Sequence, residues 1–393
     1  MKSVLERIKP KKEELVKIKE ILKYLNSKIK IKDAKLELGG SGAKNTNLSG
    51  SHDVDIFIKF NYNQFKDQDI SKILEKNIKH LKPTKLHGSR DYFQLKYNSY
   101  LIELVPILEI TKSSQAKNIT DISPLHTKYV KKHSKLVDQI RLTKAFAKAQ
   151  DCYGAESYIR GFSGYVLEIL TIHYGSFKNL VKNVAKWRSK VIIDPTKTYK
   201  NPLIEMNASK TESPLILIDP VDKTRNTAAA LSIDKFNLII KSAQKYQQNP
   251  SEKFFIQKEK IIPKNSYILE AIPLQGKEDV IGAKLVKILN YIKKQSELEG
   301  YKITTSDWSW KEKAKFWFKV KSDRLEQFRI RKGPFKDDLK NVQRFRKANK
   351  KIYLKGKNYY AKIPRKHKNY SEFIQNLIKD PNIKDNVKSI KIV

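Results

Sequence analysis

A single cysteine, Cys152, in 393 residues rules out an intrachain disulfide framework and any metal cage built on sulfur. No stretch approaches the ~18 apolar residues a membrane-spanning helix requires, and Met1 to Lys12 carries charges in place of an apolar leader. A reducing, cytoplasmic setting with no membrane partner is the expectation. Acidic residues are scarce as well: 41 Asp and Glu stand against 81 Lys and Arg, a formal net charge of +40. Such a surplus selects for polyanionic partners, because Lys and Arg neutralise phosphates, release counterions and steer the ligand inward. Only twelve of the basic residues are Arg, so a general lysine bias is the competing source of part of the excess. Internal repeats and long low-complexity tracts are also missing, which sets solenoid architectures aside.

What is present suffices for several cores. Hydrophobic residues make up 39% and aromatics 10%, and the length implies two to four domains. Apolar spacing predicts helix over residues 3–25 with an interruption near Pro10, then a strand at Lys35–Leu38 that runs into Gly39-Gly40-Ser41-Gly42. A strand at 54–60, a helix over 64–81, and strands at Tyr92–Tyr97 and Tyr100–Leu108 joined at Asn98-Ser99 follow. From Ser134 the pattern turns helical, and beyond Lys245 it becomes strongly basic, with strands near 267–271 and 316–320 and a helix at 280–294. The expected fold class is α+β: a mixed-sheet head at 1–125, a mainly helical centre at 126–245 and a basic α+β tail at 246–393.

The chemistry concentrates in the head. Asp53 and Asp55 lie two apart at the start of an apolar strand and therefore share one face, and Glu103 is a lone acid in a later apolar strand. Three carboxylates on adjoining strands suit a hard cation such as magnesium, and two such ions can clamp both oxygens of a phosphoryl transfer. Gly40 and Ser41 form a small-residue turn of the kind that lets backbone N–H groups approach a triphosphate, and Lys44 follows it. Taken one at a time, these pieces also read as a solvated strand edge and an ordinary turn. Gly161-Phe162-Ser163-Gly164-Tyr165 imitates a hydrolase nucleophile turn, yet it opens a helix and has no acid and base in order, so hydrolysis is set aside. Phe316 and Phe318 share a strand face, which favours core over base stacking.

Gly39 to Thr46 followed by Ser51-His52-Asp53-Val54-Asp55-Ile56-Phe57 resembles the signature of the DNA polymerase beta nucleotidyltransferase superfamily, in particular its archaeal-type (class I) CCA-adding tRNA nucleotidyltransferases. Leu104-Val105-Pro106, Tyr153-Gly154-Ala155-Glu156, Arg160 to Tyr165, Asp219-Pro220-Val221-Asp222 with Arg225-Asn226, and Gly333-Pro334 near Asn341-Val342 fall in family order. The resemblance implies a polymerase-beta-like head and template-independent CCA addition to tRNA from CTP and ATP with two Mg²⁺ ions. It further implies metal ligation by Asp53, Asp55 and Glu103, and nucleotide contacts from Gly40, Ser41, Lys44, His126, Lys144 and Tyr153. Arg225 matches an arginine that shapes the base-selecting pocket, and the tail is expected to hold the acceptor stem and top half of tRNA. The chain departs from the family in Asp53 for Glu, Glu103 for Asp and Lys44 for Arg, and it is expected to be shorter beyond Ile392-Val393. Without the resemblance, Lys144 reads as a helix-surface lysine, His126 as a loop residue and Tyr153 as a core aromatic. Rival readings are a poly(A) polymerase-like or oligoadenylate-type enzyme and a noncatalytic RNA-binding protein. The oligomeric state, a homodimer included, stays open.

Overall fold

Proline cannot donate the backbone hydrogen bond a helix interior needs, and in the computed structural model the N-terminal helical stretch splits at Pro10 into α1 (Lys2–Ile8) and α2 (Lys12–Lys28). The structure describes residues 1–367 and 369–393. β1 (Ala34–Leu38) leads through the single turn α3 (Gly40–Ala43) and a loop into β2 (Asp53–Asn61). Two short helices follow, α4 (Tyr62–Phe65) and α5 (Ile70–Ile78), where apolar spacing predicted one continuous helix over 64–81. The break falls at Asp69, whose side chain accepts from the Lys72 N–H at 3.1 Å and so starts a new helix.

β3 (Thr84–Leu86), β4 (Tyr92–Tyr97) and β5 (Tyr100–Glu109) complete a five-stranded sheet in the order β1-β2-β5-β4-β3. β2 and β5 run parallel and the other pairs antiparallel. The β4–β5 hairpin turns at Asn98, whose φ of +54° is a conformation asparagine tolerates. Ile56, Ile58, Phe60, Ile102 and Leu104 pack with Ile21 and Leu25 of α2 and Leu74 and Ile78 of α5. Each such fully buried side chain contributes about 1.5–3 kcal/mol, which fixes the strand register that carries the site.

The next stretch comprises α6 (Ser123–Lys131), α7 (Val137–Ala149), α8 (Gly164–Tyr174) and α9 (Phe177–Val184). β6 (Val191–Ile193), α10 (Pro202–Glu205), β7 (Leu215–Leu217) and α11 (Ile233–Gln248) follow, with β6 and β7 paired in parallel. A second core gathers Phe146, Phe162, Leu170, Leu180 and Phe236, and Val4 and Ile8 of α1 join it. The start of the chain is therefore anchored in the helical part and not in the sheet.

Packing divides the chain into two units, Met1–Lys258 and Glu259–Val393. In the second, β8 (Tyr267–Pro273), α12 (Glu278–Glu299), β9 (Ile303–Trp310) and β10 (Ala314–Val320) precede β11 (Phe328–Phe335) and α13 (Leu339–Ala348). β12 (Ile352–Lys355), β13 (Asn358–Pro364), α14 (Tyr370–Leu377), α15 (Pro381–Lys384) and β14 (Val387–Ile392) complete it. The strands form two antiparallel sheets, β14-β8-β10-β9 and β11-β13-β12. Phe316, Trp317 and Phe318 are all buried in this unit, as core residues. Gly333 has a packing reason: a Cβ there would fall 2.6 Å from the Phe345 ring of α13. Among the described residues no helix is long and apolar enough to cross a membrane.

Candidate active site

Alternation along β2 turns Val54, Ile56 and Ile58 into the core and leaves Asp53 and Asp55 together on the opposite face. The parallel register sets Asp55 beside Glu103 of β5, whose neighbours Ile102 and Leu104 enter the same core. The three acids thus share one face of two adjacent strands. On the far side of β5, Gln94 of β4 is the register partner of Glu103, and its Nε2 donates to Glu103 Oε1 at 2.8 Å.

The glycine turn is fastened to this face. Gly39 N–H donates to the Asp55 carbonyl at 2.7 Å. Gly40 takes φ +53°, and a Cβ on it would stand 1.7 Å from Asp55 Oδ2, so conformation and space both demand glycine. Ser41 sits in the same turn, where its carbonyl accepts from the Thr46 N–H at 3.0 Å.

Burial, then the Glu103 and Asp53 carboxylates, push Asp55 up to about 6, against the pull of Lys44. A self-repelling set of oxygen donors is one that a hard divalent cation relieves, so the residue types fit such an ion. Among the described residues no three His, Cys, Asp or Glu groups stand as a ready-made ligand array, and Glu103 has one oxygen committed to Gln94. The fit therefore rests on donor chemistry and the shared face.

A second cluster surrounds Glu168, a fully buried acid in the middle of α8. Its Oε2 meets Lys44 Nζ at 2.6 Å, and its Oε1 meets Lys144 Nζ at 2.7 Å and the Thr46 hydroxyl at 2.6 Å. Lys144 Nζ also donates to Thr46 Oγ1 at 2.9 Å. Arg141 of α7 holds the same loop, donating to Asn45 Oδ1 at 2.7 Å and to the Asn47 carbonyl at 3.2 Å. Lys144 is thus no surface lysine: its side chain is 2% exposed. Burial acts to raise the Glu168 carboxyl, yet the Lys144 and Lys44 ammoniums outweigh it and hold the group at about 2. Burial, helped by Lys44 and Arg141, pushes Lys144 below the ordinary lysine range while Glu168 opposes. Two ammoniums on one carboxylate leave the cluster a net positive charge, suited to anions. Tyr153 lies close by. Burial and the Glu168, Glu156 and Asp55 carboxylates raise its hydroxyl to about 12, so it remains a donor.

A third cluster surrounds Asp219, also fully buried. Oδ2 faces His126 Nε2 at 3.0 Å and Arg225 Nη1 at 3.4 Å, and Oδ1 accepts from the Tyr165 hydroxyl at 3.0 Å and the Val221 N–H at 2.9 Å. Burial acts to raise Asp219, but His126, the Val221 N–H and Arg225 hold it below the usual carboxylate range. Tyr165 links this cluster to the last: His126 stacks on its ring at 4.0 Å, and Lys44 Nζ lies 5.6 Å from the ring centroid.

The structure therefore sorts the ten expected residues into three neighbourhoods of the first unit. Asp53, Asp55, Glu103, Gly40 and Ser41 lie on and beside the strand face. Lys44, Lys144 and Tyr153 lie around Glu168, and His126 and Arg225 around Asp219. Thr46, Asp219 and Tyr165 lie in the motifs that carry the resemblance but were given no place in the site, and Glu168 and Gln94 were not singled out at all. Glu168 carried the signal that singled out Glu103, a lone acid inside an apolar run. Ser163 Oγ accepts from the Val166 N–H at 3.2 Å as the cap of α8, a helix-start role consistent with setting hydrolysis aside.

Comparison with known proteins joins these observations. Family models match three consecutive stretches: a nucleotidyltransferase domain at 18–126, the second domain of tRNA nucleotidyltransferase at 138–256, and the C-terminal domain of CCA-adding enzyme at 274–390. The CCA-adding enzyme of Nanoarchaeum equitans is 43% identical over 315 residues, which cover 76% of this chain and 78% of that one. That of Sulfurisphaera tokodaii is 30% identical over 382 residues, covering 95% and 90%. Among solved structures, a cytoplasmic RNA terminal U-transferase superposes with a TM-score of 0.52 at 13% identity, over 65% of this chain and 97% of its own. A poly(U) polymerase gives 0.53 at 13%, over the same shares. At such identities these two speak for the fold alone, the polymerase-beta-like nucleotidyltransferase fold. Identity that runs through the sheet, the helical part and the tail alike makes this chain a member of the archaeal CCA-adding enzymes, and so a nucleotidyltransferase.

Proposed function

We propose that the chain builds the 3′-terminal CCA of tRNA from CTP and ATP without a nucleic-acid template. The observation that carries the chemistry is the Asp53, Asp55 and Glu103 face held against the Gly40 turn. These three acids would hold two Mg²⁺ ions, which would supply Lewis-acid stabilisation of the phosphoryl and reacting oxygens. Ser41 donates its hydroxyl to the triphosphate, Lys44 and Lys144 offset its charge, and the Tyr153 hydroxyl adds a donor. The tRNA 3′-hydroxyl gives up its proton to water as its oxygen attacks the α-phosphorus, a new P–O bond forms, and the bond to the bridging oxygen breaks to release pyrophosphate. Positioning and fixed charge carry nearly all of such a step.

We assign the catalysis to 1–125, closure of the nucleotide pocket to 126–245, and tRNA binding to 246–393. In the last stretch, β11 exposes Arg329, Arg331 and Lys332, and α13 exposes Arg344 and Arg346. Side chains cannot read the deep major groove of RNA duplex, so phosphate and shape contacts of this kind suit the tRNA acceptor stem and top half.

Lys44→Ala should raise KM for CTP and ATP by similar factors, because a cation on a phosphate reads no base, and Lys44→Arg should be tolerated. Loss confined to one nucleotide would contradict the role. Arg225 supplies base selection: arginine only donates, N3 of C and N1 of A accept, and U and G present an N–H at the same place. Arg225→Ala is expected to lower CTP and ATP incorporation and relax discrimination against UTP, read as kcat/KM for each NTP on acceptors that lack one, two or three terminal nucleotides. An unchanged CTP to UTP ratio would place selection elsewhere. The function as a whole is tested by sequencing the 3′ ends formed on one truncated tRNA with all four NTPs present. CCA ends are expected, and homopolymer tails or no addition would overturn the reading.

A further inference from the structure

The buried carboxylate of Asp219 touches two residues assigned to the nucleotide, His126 and Arg225, from separate segments of the chain. Arg225 itself stands on a loop tied by backbone hydrogen bonds. Asp219 N–H donates to the Arg225 carbonyl and Arg225 N–H to the Asp222 carbonyl, each at 3.0 Å, and Ile218 bridges to Asn226. The buried Asn226 side chain locks that base, accepting from the Leu217 and Ala228 N–H groups and donating to the Lys210 and Leu215 carbonyls. These bonds tie the backbone on both sides of Arg225, whereas its side chain is 34% exposed and keeps rotamer freedom. Arginine carries large rotamer freedom. A guanidinium free to swing in a site filled with phosphate would follow the phosphates, and it would also reach the carbonyl oxygens of U. Rejection of U requires its donors to be held on one line.

We infer that Asp219 is the positioning residue for base selection: by holding Arg225 through Nη1 and His126 through Nε2, it orients the remaining guanidinium donors toward the base edge. The inference rests on the assignment of Arg225 to base selection made above. Asp219 acts through Arg225 and does not itself touch the nucleotide. Tyr165 braces the arrangement, since its hydroxyl donates to Asp219 while its ring stacks on His126.

Asp219→Asn separates this role from a purely structural one. The amide keeps an oxygen for the Val221 N–H and the Tyr165 hydroxyl, but it turns an NH₂ donor toward His126 and Arg225, where Oδ2 accepted before. Single-nucleotide addition of CTP and UTP to a tRNA acceptor lacking CCA is measured for wild type, D219N, R225A and the double variant. The CTP to UTP ratio of kcat/KM should fall about tenfold in D219N, mainly through a higher KM for CTP, and the double variant should fall no further than R225A. If R225A lowers the ratio and D219N leaves it at the wild-type value, or if the two losses multiply, Asp219 is not the positioning residue and the Arg225 assignment survives. A ratio unmoved in R225A overturns the Arg225 assignment itself, and the inference with it. Should D219N fail to fold, Tyr165→Phe takes its place: it removes the hydroxyl but keeps the stacked ring. A smaller fall in the same ratio is then expected, and an equal loss for all nucleotides overturns the inference.

Discussion

Asp55→Asn should lower addition of C and of A alike by at least about 10³-fold in kcat/KM, with tRNA affinity near wild type. Asp55 stands at the centre of the acidic face, beside Glu103 in register, two residues from Asp53 and against the Gly40 turn. Asparagine keeps its shape and removes one charge. Because burial and the neighbouring acids disfavour the ionised form, the neutral amide relieves repulsion, and thermal stability is expected to hold or rise. Lost turnover with an undiminished Tm separates chemistry from folding. Steady-state addition rates, filter binding to tRNA and a melting curve make the test, and a variant that keeps most of its activity in Mg²⁺ would remove the carboxylates from the mechanism.

Glu168→Gln should destabilise the first unit by about 3–5 kcal/mol, because it strips the counter-charge from two largely buried ammoniums. For a unit of this size that is a fall in Tm of roughly 6–20 °C. Nucleotide KM should rise with it, as Lys44 and the Thr46 loop lose their anchor. The wild type has a matching pH signature. With Glu168 held at about 2 in the fold, below the ordinary value of 4.5, its contribution is complete above about 4.5 and is lost as the pH falls toward 2. Wild-type Tm should therefore drop more steeply than that of Glu168→Gln across that window. A variant melting within a degree or two of wild type would mean that neither lysine depends on the Glu168 charge, and the ion-pair account of this cluster would fail.

Much of the acidic face was legible because strand alternation is a local rule. Asp53 and Asp55 share a face whatever the rest of the chain does, and a lone Glu103 between apolar neighbours marks a strand position that turns away from the core. The resemblance to archaeal CCA-adding enzymes is likewise borne out over nearly the whole chain. The helix expected over 64–81 failed for a local reason of another kind: an aspartate cap at Asp69 outweighed apolar spacing that continued through it. β3, three residues long, is too short to leave a pattern.

Lys44 and Lys144 show the other limit. Their places in the sequence named them as cations, and periodicity even put Lys144 on a helix. Nothing in that order could say that both end on one buried carboxylate, 124 residues from the first and 24 from the second. The same holds for Asp219, which lies 93 residues from His126.

The amino-acid order by itself determined which acids share a strand face, where glycine permits a turn against them, and to which family the chain belongs. These follow from short-range geometry and from matched motifs. Only the tertiary structure decided which charges meet. When the helical part packs on the loop after α3, it takes Lys44, Lys144 and Glu168 out of water together, and in a medium of low dielectric each charge must find its partner there. Burial of that kind depends on how distant segments pack, and no local pattern encodes it.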